Sequence, residues 1–291
     1  MSTTVVKVPL KMRFTIIWGS IKLKFSLVMG YFVSQWIATY EGYNKTRPEL
    51  HAGALSQAKI DELVAKLRAL PRDYIDHQPS LSDEEIKTPN SPSAWGAKFV
   101  CRVIESNRDK IKTVVSIGGQ HDQVSSYLAG KFPDIQFTSV DFTPREMLHD
   151  FNRLFPQRDN WKLRSGNALT MLVDGSLVAD LFFMQSVGFL MNCKEVDQYA
   201  QAFKGRAKFV AITEAWFSMV LRGNPFKLYR PEEIDPDNSA ITPWYGHYNL
   251  FQHNYPAKFT RAKFDVWSEL HESGNPKYMR LDFLATDLSL D

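Results

Sequence analysis

Residues 114–123 read VVSIGGQHDQ, and Asp141, in the stretch FTSVDF, follows 23 residues after Gly118. A β-branched run that empties into two glycines predicts a strand feeding a tight turn: branched side chains suit the pleated strand, and glycine has no Cβ to keep a ligand at a distance. An acidic residue ending the next strand suits the two hydroxyls of a ribose. Glycine pair, acidic strand end and strand order together predict a nucleoside-type cofactor at the carboxyl ends of a parallel sheet. The alternative is a pair of ordinary turns and a solvated aspartate.

Working outward, the sequence from about residue 94 alternates short β-rich runs with helix-length segments, the pattern of an α/β sheet. Strands are expected at 113–117, 136–140, 161–164, 179–184 and 208–213, and two further strands at 263–270 and 278–287 are joined through HESGNP. The predicted architecture is a Rossmann-like doubly wound sheet, mostly parallel with a C-terminal antiparallel hairpin, plus an N-terminal helical cap. In SQAKIDELVAKLRAL (56–70), Ile60, Leu63, Val64, Leu67 and Leu70 share one helical face and Pro71 ends the run. Polar, proline-bearing DHQPSLSDEEIKTPNSPS (76–93) reads as a surface linker. The expected division is therefore 1–93, a helical cap or oligomerisation region with its linker, and 94–291, the sheet domain with an aromatic cap insertion at about 214–256.

The chain of 291 residues is 44% apolar, enough for a full core, and its 35 basic against 32 acidic residues leave a net charge of only +3. A surface so nearly balanced has no basic stripe, so no nucleic-acid partner is expected. Cys101 and Cys193 lie far apart without metal-ligand spacing, which predicts a reducing, cytoplasmic compartment and no metal. The apolar stretch 14–40 is interrupted by Lys22 and Lys24, and its uncharged part, 25–40, is shorter than the roughly 20 residues of a spanning helix. Buried or dimer-forming helices over a ligand site are the expectation there, in a homo-oligomer, with a membrane-surface segment or a true span as alternatives.

From about 95 to 290 the sequence resembles the class I S-adenosylmethionine-dependent methyltransferases. Their first loop is an acidic-x-G-x-G-x-G pattern, and here Ser116, Gly118, Gln120 and Asp122 stand at the matching positions. One family glycine is kept in phase, Gly119 adds another, and Ser116 replaces the usual acid. The resemblance implies S-adenosylmethionine as cofactor, with Asp122 as a candidate partner for its ammonium and Gln120 and His121 adding side-chain contacts. In VDFTPREML, Asp141 is the acidic strand end and Phe142 is placed to lie on the adenine; in RSGNALTML, Asn167 and Ala168 stand where the family holds the adenine amino group; after ADLFFM, Gln185 and Ser186 face cofactor and substrate. HNYPAKFTRAKFDVW (253–267) and the VDF strand end are also similar, more weakly, to sugar O-methyltransferases.

What the resemblance implies for activity is methyl transfer to a small organic acceptor. The 214–256 interval, rich in rings, offers Trp216, Trp244, Tyr245 and Tyr248 as walls of an acceptor pocket. A hydroxyl acceptor also needs a base, for which His247, His253, His121 and Glu214 are the candidates. Three other readings stay open at this point: a dinucleotide oxidoreductase, which shares the glycine turn and acidic strand end; the same fold having lost its cofactor; and a non-catalytic oligomeric scaffold.

Overall fold

The computed structural model describes Ala65 and residues 80–119, 122–216, 230–237, 240–244, 248–272 and 279–290. The expected helices at 14–40 and 56–70 otherwise lie outside these residues. A short helix α1 (Asp83–Lys87) and a long helix α2 (Pro92–Ser106) precede the sheet. The linker expected over 76–93 is thus partly helical. Its signal is local: Ser82 accepts from the Glu85 backbone N–H while the Glu85 carboxylate accepts from the Ser82 N–H, a reciprocal cap that stabilises even one polar turn. Ser91 caps α2, and Pro92 occupies its first turn, where a missing N–H costs nothing.

Five strands then alternate with helices: β1 (Thr113–Ile117), α3 (Gln123–Lys131), β2 (Gln136–Asp141), α4 (Arg145–Asn152), β3 (Trp161–Ser165), α5 (Ala168–Val173), β4 (Ala179–Gln185), α6 (Cys193–Phe203) and β5 (Ala207–Trp216). A hairpin of β6 (Ala240–Trp244) and β7 (Tyr248–Gln252) follows, then α7 (Tyr255–Arg261), β8 (Asp265–Glu272) and β9 (Met279–Thr286). The main sheet has seven strands in the order β3-β2-β1-β4-β5-β9-β8. Neighbours among the first five pair parallel, and β9 pairs antiparallel with both β5 and β8. The strand order therefore reverses between β1 and β4, which opens a crevice at their carboxyl ends.

The apolar runs exist because this sheet is covered on both faces. Val114, Leu181, Phe183, Phe209 and Ala211 pack with α2 and α3, while Val115, Ile117, Phe182, Met184, Val210 and Ile212 pack with α6 and α7. Successive residues of one strand thus serve opposite cores. The strands lie where the sequence places them, to within a few residues. The β6–β7 hairpin lies within the interval 214–256, expected as an aromatic insertion with no secondary structure assigned to it. Among the described residues no helix is long and apolar enough to cross a membrane, and no group of acidic, histidine or cysteine side chains is arranged to hold a metal ion.

Candidate active site at the carboxyl ends of the strands

At the end of β1 the chain turns through Gly118, whose φ of +80° is in the left-handed region that L side chains avoid. Its N–H donates to Val140 O at 2.9 Å, tying the turn to β2. The space a Cβ would fill at Gly118 is taken by the Val187 side chain, so part of the close approach expected of a ligand is made by the protein itself. At Gly119 a Cβ would stand 2.7 Å from Asp122 Oδ2 and 3.0 Å from Ser139 Cβ. Both glycines are therefore required by packing, and their backbone lines the reversal point of the sheet.

Asp122 is buried and fully occupied: Oδ1 accepts from Ser125 N at 2.8 Å as the cap of α3, and Oδ2 accepts from Ser139 Oγ at 2.5 Å. Its own N–H donates to Asn152 Oδ1 at 2.8 Å. The carboxylate expected to meet a ligand ammonium thus spends its hydrogen bonds on the fold, leaving it only a charge to offer. Asp141, at the end of β2, is also buried, with Thr143 N donating to its Oδ1 at 2.8 Å and the Thr143 hydroxyl adding a second bond. Burial pushes the Asp141 carboxyl above its usual range; the Thr143 bonds pull against that, and the nearby Asp122 charge adds to it.

Phe142 beside it is half-buried. At the end of β3, Gly166 N donates to Asp141 O at 2.7 Å, and Asn167 caps α5 through Thr170 N, with Ala168 buried behind it. β1, β2 and β3 thus bring Gly118, Gly119, Asp141, Phe142, Asn167 and Ala168 to one edge of the sheet. Gln185 ends β4 against Gly96 of α2, where a Cβ would stand 3.0 Å from its Oε1. Ser186 adopts φ +56°, a strained position for a residue with a Cβ, and begins the turn 186–191.

That turn is clamped from both sides. Glu214 of β5 is 2% exposed; its Oε1 accepts from Phe189 N at 2.8 Å and its Oε2 is 2.7 Å from the Tyr255 hydroxyl of α7. Burial raises the Glu214 carboxyl to about 8, although the bonds from Tyr255 and from the Phe189 and Gly188 N–H groups oppose it. Across the turn, His253 Nε2 lies 3.1 Å from Gly188 O and 3.0 Å from Met191 O. Both partners are carbonyls, so Nε2 carries the proton. Burial, helped by the Lys258 charge, lowers His253 to about 3. Its geometry gives His253 a structural task in place of the base expected from sequence.

Trp216, expected on the acceptor wall, is fully buried in the core beneath α6 and α7. Trp244 and Tyr248 sit opposite each other in the β6–β7 register. Gln120, His121, Tyr245 and His247 lie outside the described residues. The sequence singles out neither Thr143 nor Val187, and it offers Tyr255 only as one of the rings of 214–256, without its bond to Glu214. Thr143 had a signal, since Asp-x-Thr after a strand is a local turn pattern in which the aspartate accepts from the residue two on; the Tyr255 bond and Val187 had none, because their partners are distant in sequence.

No protein-family model and no curated protein matches the chain. Among solved structures, the 1,6-didemethyltoxoflavin-N1-methyltransferase of Burkholderia thailandensis, with bound 1,6-didemethyltoxoflavin and S-adenosylhomocysteine, matches with a TM-score of 0.50 at 10% identity, over 80% of this chain and 91% of that one. The fold is that of the class I S-adenosylmethionine-dependent methyltransferases. A Nostoc punctiforme protein assigned as an O-methyltransferase matches at 16% identity and TM-score 0.46, over 70% of this chain and 59% of its own. Human N-acetylserotonin methyltransferase, in complex with S-adenosylmethionine, matches at 11% identity and TM-score 0.42, over 67% and 55%. The chain spans less than two thirds of the length of these last two. At such identities the likeness is one of methyltransferase fold.

Proposed function

We propose that the protein transfers a methyl group from S-adenosylmethionine to a small organic acceptor. The observation that carries this reading is electrostatic. Asp122, Asp141 and Glu214 are buried carboxyls on the turns and strand ends around the crevice, and none has an ion-pair partner among the described residues. A buried carboxyl without a counter-ion either is costly as the anion or keeps its proton, and a ligand that brings positive charge favours the ionised form. S-Adenosylmethionine brings an ammonium and a sulfonium. A dinucleotide would bring phosphate anions to the same edge, so no observation favours the oxidoreductase reading, and none favours a scaffold.

In this reading Asp141 receives the ribose hydroxyls, Phe142 lies on the adenine, and the Asn167–Ala168 backbone meets the adenine amino group. Gly118, Gly119, Gln120, Gln185 and Ser186 border the amino-acid end, and Asp122 acts through its charge. Bound there, the cofactor supplies an electrophilic methyl carbon. The chain's own part is to align the acceptor, keep water away and take a proton where the acceptor is a hydroxyl. His253 and Glu214 are committed to the turn 186–191, which leaves His247 and His121, both outside the described residues, as the candidate bases, and His247 of the aromatic cap is the one proposed. Trp244, Tyr245 and Tyr248 are assigned to the acceptor's walls. Calorimetric titration of S-adenosylmethionine and S-adenosylhomocysteine into the protein tests the reading; heat from neither ligand with a folded protein removes it.

A further inference from the structure

Glu214 has no counter-ion among the described residues, yet it is not an idle core residue. Its carboxyl holds the N–H groups of the turn that follows β4, and that turn carries Val187 onto Gly118 of the first loop. A Cβ on Gly188 would stand 2.6 Å from Glu214 Oε1, so the carboxyl is in van der Waals reach of the turn's backbone. Between this acid and the reversal point of the sheet there is only the thickness of one turn.

The groups facing it can be named element by element. From α7 comes the Tyr255 hydroxyl, and from the segment before α7 comes His253, on the carbonyl side of the same turn and held neutral there. From β9 the residue paired with Glu214 is Leu281. The charged neighbours of Leu281, Arg280 and Asp282, belong to the opposite face, where Asp282 accepts from Thr213 Oγ1 at 3.0 Å and from Arg280 at 2.9 Å. Lys258, the buried cation of α7, is paired with Asp197 of α6 at 2.9 Å and acts on His253, so within the described residues Glu214 is met by hydrogen-bond donors and is ion-paired to no cation. Its protonation state is left to whatever charge arrives from the crevice.

Resting on the methyltransferase reading above, we propose that Glu214 reads the charge of the bound cofactor, keeping its proton beside a neutral ligand and releasing it when a sulfonium is bound. The step balances simply: the Oε2–H bond breaks, the proton leaves to solvent, and the carboxylate accepts from Tyr255 and the two backbone N–H groups already in place. No rearrangement of the turn is needed, because Tyr255 only exchanges accepting for donating. The consequence is a site that favours the charged donor over the neutral thioether left after methyl transfer, so that product leaves more readily than donor.

The test is calorimetry at pH 7 in buffers of different ionisation enthalpy, which counts protons released on binding. S-Adenosylmethionine should release roughly half to one proton more from the wild type than from Glu214→Gln, whose amide donates to Tyr255 as the protonated acid does. S-Adenosylhomocysteine should show no such difference. A second measurement is infrared: Asp141 and Glu195 are also raised by burial, so the Glu214 band is the buried-carboxyl band that Glu214→Gln removes, and it should vanish on adding S-adenosylmethionine and persist on adding S-adenosylhomocysteine. Equal proton counts in wild type and Glu214→Gln, or a band indifferent to the sulfonium, overturn the proposal while leaving the cofactor assignment intact. Binding of neither ligand overturns both.

Discussion

Gly118 shows at the residue scale how packing and function compete for one position. Valine there would have to adopt the left-handed φ and displace Val187, two costs of about 1–3 kcal/mol each by strain and overpacking. Gly118→Val is therefore expected to lower stability by about 2–6 kcal/mol in urea denaturation as well as to weaken cofactor binding; unchanged stability would mean that Val187 moves away freely. Reading Gly118 from sequence was possible because a strand pouring into glycines is a local signal. The partner that makes the glycine necessary, Val187, is invisible locally because it comes from β4's turn.

Glu214 and His253 give the ligand-free protein a pH signature. His253 falls from 6.5 unfolded to about 3 folded, so its stabilisation is complete above 6.5 and is lost as pH drops toward 3. Glu214 rises from 4.5 to about 8, so its stabilisation is complete below 4.5 and is lost as pH climbs to 8. Between 4.5 and 6.5 the His253 slope opposes that of Glu214, to which Glu195, raised by burial to about 7, adds its own, so stability should fall gently with rising pH there; below 4.5 it should fall with acid, and from 6.5 to 8 with base. Denaturant midpoints across pH check this, with Glu214→Gln expected to flatten the alkaline decline and leave the acid one. An alkaline slope unchanged by that substitution would contradict the assignment.

At the scale of elements, the polar turn α1 depends on its cap, since its one buried side chain is Ile86. Ser82→Ala removes the oxygen that accepts from Glu85 N and should cost about 1 kcal/mol, read as a small drop in the unfolding midpoint. The parallel strands were legible because burial on both faces makes them continuous apolar runs, and their ends announce themselves through glycine, aspartate and serine. α1 was not, because four charged residues around a single isoleucine have no hydrophobic period, although the Ser-x-x-Glu cap was there to be read. The β6–β7 hairpin was not, because the rings of 240–252 read equally well as pocket wall and as strand. Asp141 was singled out from its position at a strand end and Asn167 through the family resemblance, whereas the tie of Tyr255 to Glu214 rests on a contact across 41 residues of chain. If the hairpin borders the acceptor, Trp244→Ala or Tyr248→Ala should reduce methyl transfer into small molecules of a lysate while leaving cofactor affinity within about twofold. A loss of cofactor affinity as large as the loss of transfer would move the hairpin's role to folding.

At the scale of the whole molecule, the sheet's reversal point gathers buried carboxyls that have no ion-pair partner among the described residues, in a chain whose net charge is nearly balanced. A cationic nucleoside is the ligand that this distribution favours, and Asp141 is the residue proposed to hold its ribose. The most direct measurement is therefore the dissociation constant of S-adenosylmethionine for the wild type and for Asp141→Ala, with circular dichroism to establish that both are folded. Loss of hydrogen bonds to a charged group corresponds to about 10- to 100-fold weaker binding. The account predicts saturable binding by the wild type and a loss of that size in the variant; equal affinities in two folded proteins, or no binding by a folded wild type, would contradict it.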